Sequence, residues 1–202
     1  MKLSIKEVLL EGGRLLRKNF VLMVGLALGY GFIFSLIYWV FVGNGVPLAY
    51  EVVSGLFSIF FSLAYTKISM DIAEGKDALL GSFGEVIPFF GNALLCGVML
   101  CIPIMIGMFL LIIPGLYIAS RFMFSTYFIL EGEKAIPALK KSWKATKNTK
   151  GTFPLYIVFG LIILLGALLL IFGIFPAFAL VSICGAVAYR KVKGNQSLQS
   201  KE

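Results

Sequence analysis

Long apolar runs alternate with short polar connections along this chain. Phe20–Val42 runs for 23 residues without a charge, enough to cross a hydrocarbon core about 30 Å thick. After the turn Gly43-Asn44-Gly45-Val46-Pro47, a second run, Leu48–Met70, is interrupted only by Glu51 near its start and Lys67 near its end. Ala93–Ile113 is the third, with Pro103 in its interior; a proline there frees a carbonyl and favours a kink. Pro114-Gly115 reads as a turn. Leu116–Leu130 follows, 15 residues long and short for a full crossing unless neighbours shield its ends. Phe153–Phe172 and Ile174–Tyr189 make the last pair, turning near Gly173 and Pro176. The pattern predicts an all-α polytopic membrane protein, a single domain over 1–189 with about six transmembrane helices arranged as three hairpins. A polar cytoplasmic tail is expected over 190–202.

Three of the polar connections carry helical amphipathic patterns. Ser4-Ile5-Lys6-Glu7 has the form of a capping box, serine covering the first turn and glutamate reaching back. Ile5, Val8, Leu9, Gly12, Leu15 and Leu16 then share one face, and Lys6, Glu7, Glu11, Arg17 and Lys18 the other, as in a helix lying in the membrane interface. Leu79, Leu80, Phe83, Val86, Ile87 and Phe90 give a second such stretch, bent at Pro88. In the third, Ile136, Leu139, Trp143 and Thr146 share one face, and Lys140, Lys141, Lys144 and Lys147 the other. Each hairpin thus follows an amphipathic helix, starting near Ser4, Asp77 and Glu133. The echo in sequence, Arg17-Lys18-Asn19 against Thr146-Lys147-Asn148, is too faint to mark a duplication.

Composition agrees. Hydrophobic residues make up 59% of the chain and charged ones 14%, against about a quarter charged in soluble domains. The net charge of +8 calls for an anionic partner. Of the 18 lysines and arginines, 17 fall on one side of six crossings and the three opposite turns hold none. By the positive-inside rule both termini are cytoplasmic, which makes anionic lipid headgroups at the cytoplasmic face the expected partner. Nucleic acid is not expected, because the lysines lack interleaved aromatics beyond Trp143. Nor is Phe20–Val42 a secretory signal: it is too long for an h-region and lacks a small-x-small cleavage pattern.

No catalytic motif or cofactor site is visible. Histidine is absent, which removes the commonest general base and metal ligand. Cys96, Cys101 and Cys184 lie inside apolar runs and read as small hydrophobes. Asp71, Glu74 and Asp77 are interspersed with Lys67 and Lys76 and read as an ordinary polar connection. Gly25-Leu-Ala-Leu-Gly29 has the small-xxx-small spacing that lets membrane helices approach closely.

Arg121 is the one basic residue outside the positive-inside pattern. It is expected near mid-membrane, where an arginine costs about 2.5–3.5 kcal/mol and needs a partner. Glu51 is the only acidic residue well inside a predicted span, and the two differ in depth by about 4–5 Å. Two readings are open: a buried Arg121–Glu51 pair that fixes helix register, or an arginine that holds an anionic group. The lysine helix likewise reads either as an anionic-lipid surface around Trp143 or as a topology signal with a solvated face.

The run Ile113-Pro114-Gly115-Leu116-Tyr117, then Arg121, Glu131 and Ala138-Leu139-Lys140-Lys141-Ser142-Trp143-Lys144-Ala145-Thr146-Lys147, resembles a bacterial family. Its members are YciC-like multi-pass proteins and the membrane domain of some glycerophosphoryl diester phosphodiesterases. Leu15-Leu16-Arg17-Lys18-Asn19-Phe20 also fits that family's opening. The resemblance implies a six-helix inner-membrane protein. It brings no catalytic residues, since nothing here corresponds to the soluble phosphodiesterase domain. Together with the missing chemistry it implies a non-enzymatic module that binds lipid or a partner protein in envelope homeostasis, with homo-oligomerisation left open. The alternative is a transporter or channel for a small anionic or amphipathic solute, using Arg121, Glu51 and the Pro103 break.

Overall fold

Ser4 caps the first helix, α1 (Ile5–Lys18): its hydroxyl accepts the Glu7 N–H at 3.4 Å. Arg17 and Lys18 fill the last turn, where the helix dipole favours cations. Glu7 does not complete the capping box; its carboxylate lies 3.5 Å from Lys191 at the far end of the chain. In this computed structural model, which describes residues 3–76, 81–110, 112–169 and 171–199, the regular elements are all helices. They continue as α2 (Phe20–Gly43), α3 (Pro47–Glu74), a short α4 (Ser82–Glu85), a 3-10 turn over Ile87–Phe89, α5 (Phe90–Leu110) and α6 (Ile112–Arg121). Then come α7 (Ser125–Leu130), α8 (Ala135–Lys147), α9 (Thr152–Leu168) and α10 (Ile171–Gln199). Leu79 and Leu80, which open the second amphipathic pattern, lie outside the described residues.

Among the described residues, five helical stretches are long and apolar enough to cross a membrane: Phe20–Gly43, Pro47–Glu74, Ser82–Gly107, Ile113–Leu130 and Gly173–Gly194. Thr152–Leu168 is apolar but shorter, at 17 residues. Phe109 is 93% exposed, Val21 85% and Leu48 77%. Soluble proteins rarely leave such large contiguous apolar surface to water, so these faces belong against lipid.

The buried side chains gather at the opposite end. Ile68 and Ile72 of α3, Phe124 and Ile129 around α7, Ala138 of α8 and Ile183 and Val187 of α10 pack there, with Val8 of α1 beneath them. Charged side chains rim this core. Lys67 reaches Asp71 at 2.7 Å and Glu85 at 3.2 Å, tying α3 to α4. Arg190 pairs with Glu11 and donates to the Ala73 carbonyl, and Lys193 reaches Glu131 at 2.6 Å. The described part of the expected tail, 190–199, therefore continues α10, and Arg190 to Lys193 dock on α1, α3 and the end of α7, with Val192 buried.

Glycine lets helices touch at particular places. A Cβ on Gly12 would overlap Cys184 Sγ and meet Cys184 Cα at 3.3 Å, and one on Gly107 would lie 2.9 Å from Gly115 Cα. Gly25 and Gly29, whose spacing suggested a close approach, have nothing within 4 Å of an added Cβ. Gly12→Val is accordingly expected to push α1 off α10 and cost about 1–3 kcal/mol through overpacking, measured by reversible unfolding in mixed micelles. Gly29→Ala has room and should leave stability within about 0.5 kcal/mol.

Candidate functional site

The run read as one continuous fourth helix is broken. α6 ends at Arg121, and α7 begins at Ser125 after a bend through Phe122–Phe124. Such a break strands backbone groups, and a buried or lipid-facing environment offers no water to satisfy them. The lysine helix supplies the partners. The Ser142 hydroxyl donates to the Arg121 carbonyl at 3.0 Å and accepts the Phe124 N–H at 3.2 Å. The Thr146 hydroxyl also reaches the Arg121 carbonyl at 3.0 Å. Ser142 and Thr146, one turn apart, thus pin α8 to the bend.

This docking sets which face of α8 turns inward. Ala135, Ala138, Ser142, Ala145 and Thr146 are buried. The larger apolar residues of this helix do not join them: Ile136 is 50% exposed and Trp143 39%. Small side chains allow the close approach, so Ile136 and Trp143 are displaced to the surface, along the same edge as Lys140 and Lys147. The exposed side of α8 is therefore cationic and apolar together.

Arg121 stands against that edge. Its guanidinium carbon lies 4.6 Å from the Tyr117 ring centroid and 5.8 Å from that of Trp143, within cation–π range. It donates to the Tyr117 hydroxyl. Its Nε is buried and has no hydrogen-bond partner. Phe122 packs on Trp143 at 5.4 Å between centroids, and Phe153 of α9 on Tyr117 at 5.8 Å. Aromatic rings hold the arginine in place, and no described carboxylate neutralises it.

The structure does not bring Arg121 and Glu51 together. Glu51 is exposed near the start of α3 and forms no ion pair with a described residue. The reason is the bend: it attaches Arg121 to α8, where its neighbours are Tyr117 and Trp143. Of the α8 lysines, Lys141 pairs with Glu133. Lys140, Lys144 and Lys147 have no ion pair with a described carboxylate. A separate cavity of about 280 Å³ lies between α3, α5 and α7. Its lining is mainly apolar, with the hydroxyls of Ser58, Ser62, Ser125 and Thr126, and includes neither Arg121 nor Glu51.

Phe122 joins Tyr117, Ser142 and Thr146 in completing the site, and none of the four was given a role there from the sequence. The one available hint was Ser142 and Thr146 at i, i+4 inside a helix otherwise rich in lysine and alanine. Chemically, the arrangement is a planar, weakly hydrated cation with a rigid donor fork, framed by aromatics and unpaired lysines. Guanidinium groups of this kind recognise phosphate oxygens in bidentate fashion. Among the described residues, no group of three or more histidine, cysteine, aspartate or glutamate side chains could hold a metal. Comparison with family models, curated proteins and solved structures returns no match.

Proposed function

We propose that this chain is a non-enzymatic, six-span protein of a bacterial cytoplasmic membrane, and that its inner face binds anionic lipid headgroups through Arg121, Trp143 and the lysines of α8. The observation that carries this reading is the Arg121 guanidinium, framed by Tyr117 and Trp143 with no carboxylate against it. A half-buried cation without a counter-ion is costly, and a phosphate at the membrane interface supplies one. Three unpaired lysines on the same helix add to the pull, each about 1 kcal/mol near an anionic surface.

Depth supports the same reading. A helix with four exposed lysines belongs in the headgroup layer, and Arg121 shares its level through the Ser142 and Thr146 bonds. On that view Arg121 is not an exception to the positive-inside pattern, and all basic residues lie on the cytoplasmic side with both termini. α9, at 17 residues or about 25 Å, serves as the sixth crossing, paired with α10. Membership of the YciC-like family, and a role in envelope homeostasis through lipid or a partner protein, fit this architecture and remain part of the proposal.

Native mass spectrometry of the purified protein, with its co-purified lipids, is the direct test. Phosphatidylglycerol or cardiolipin should be retained in preference to neutral lipid. The combined change Lys140→Gln, Lys144→Gln and Lys147→Gln should lower that preference about a hundredfold, and added salt should weaken it in the wild type. Equal retention of neutral and anionic lipid would sink the reading.

A further inference from the structure

Two unpaired hydroxyls open onto one cavity within the apolar part of the molecule. Ser54, Ser58, Thr66 and Ser69 of α3 each donate to a carbonyl one turn earlier, at 2.7–3.3 Å, the ordinary way for an apolar helix to settle a hydroxyl. Ser62, in the same helix, does not. Its hydroxyl has no partner among the described residues, and neither has that of Thr126 in α7. Both line the cavity of about 280 Å³ between α3, α5 and α7. α3 and α5 are long and apolar enough to cross a membrane, and hydrocarbon offers no water to meet a hydroxyl.

The lining says what could meet them. None of the described lining residues is charged, and Ile59, Leu63, Ala93, Leu100 and Ile129 make the wall mainly apolar. A phosphate or an ammonium entering it would find no counter-ion. Ser125 donates to the Phe122 carbonyl at 2.8 Å and keeps an oxygen that can accept. Ser62 lies five residues before Lys67, the first charge of the α3–α4 ion pairs, or about 7.5 Å along the helix. That depth is the layer between charged headgroups and acyl chains. Ser62 and Gly97 are exposed, so the mouth opens between α3 and α5 on the apolar surface. The volume falls just below the roughly 300–1,000 Å³ of ordinary small-molecule sites, so it admits a small polar head and leaves long chains outside.

We infer that this cavity binds the glycerol diester of an uncharged lipid, diacylglycerol. Its two ester carbonyls accept from Ser62 and Thr126, and its free hydroxyl donates to the Ser125 oxygen. The acyl chains leave past Ser62 and Gly97 into the surrounding lipid. A lipid alcohol without esters offers too few acceptors, and a triglyceride has no hydroxyl to donate. The site shares no residue with Arg121 and α8 and takes no anion.

Equilibrium binding of dioctanoylglycerol to the full-length protein in an uncharged detergent tests this. It should bind one to one, and added salt should leave the affinity unchanged, since no charge takes part. The diether analogue, which lacks the carbonyls, should bind about twentyfold more weakly, the loss of two neutral hydrogen bonds. Ser62→Ala and Thr126→Val should each weaken binding about fivefold. Neither hydroxyl bonds to another part of the chain, so both variants should keep the wild-type melting temperature. A Cβ on Gly97 meets nothing within 4 Å, so Gly97→Leu has room to fill the mouth and should abolish binding. Absence of binding, equal affinity for the diether, a salt-dependent affinity, or unchanged affinity in the Ser62 and Thr126 variants would overturn the inference. Undiminished binding by Gly97→Leu would place the lipid outside this cavity and overturn it equally.

Discussion

Replacing Ser142 by alanine and Thr146 by valine in one chain is expected to destabilise the protein by about 2–5 kcal/mol, a large share of the stability of a domain this size. The two hydroxyls serve the backbone of another helix. With both gone, the Arg121 carbonyl and the Phe124 N–H lose the partners that the α6–α7 bend depends on. Each orphaned group costs about 1–3 kcal/mol when water cannot replace the bond. Thr149→Val is the control. Its hydroxyl is also buried in the same segment but bonds only to the Ala145 carbonyl of its own turn, at 2.9 Å. That change should cost less than about 1 kcal/mol. Denaturant titration in mixed micelles, followed by tryptophan emission from Trp143 in a Trp39→Phe background, reads both. Equal effects of the double change and the control would mean that the bend holds by other contacts.

The same bend marks the limit of what the residues alone revealed. The apolar runs, the amphipathic helix after Ser4 and the lysine helix were legible because period and hydropathy are local properties. The five stretches capable of crossing a membrane all overlap predicted runs. The break after Arg121 was not legible, because no proline or glycine lies between Arg121 and Leu130. It exists through hydroxyls supplied 21 and 25 residues later, a tertiary fact with no signature at the break itself. Which face of α8 turns inward was not legible for a related reason. Hydropathy points Ile136 and Trp143 inward, whereas close packing selects Ala138, Ser142 and Ala145. The idle Gly25 and Gly29 teach the same lesson: spacing permits an approach, and only a partner at hand, as Cys184 is for Gly12, makes use of it.

The break and the inward face of α8 bear directly on Arg121. Placed alone in a span, it seeks Glu51; placed beside α8, it has rings on its flanks, an unmet Nε and no described carboxylate against it, the place the proposed lipid phosphate would take. Arg121→Gln is therefore expected to weaken retention of phosphatidylglycerol by about thirtyfold or more, since a charge-assisted bond and a cation–π contact are lost together. Arg121→Lys restores the charge without the planar fork and should recover only part of the affinity. Trp143→Ala should fall between these, because it frees the guanidinium without removing it. Glu51→Gln should change neither lipid retention nor stability, and its effects should add to those of Arg121→Gln, as expected for groups that share no contact. Lipid titration into nanodiscs, read by native mass spectrometry, measures the first three; unfolding in mixed micelles measures the last. A non-additive Glu51–Arg121 cycle would restore the internal ion pair and remove the need for a lipid phosphate at this site.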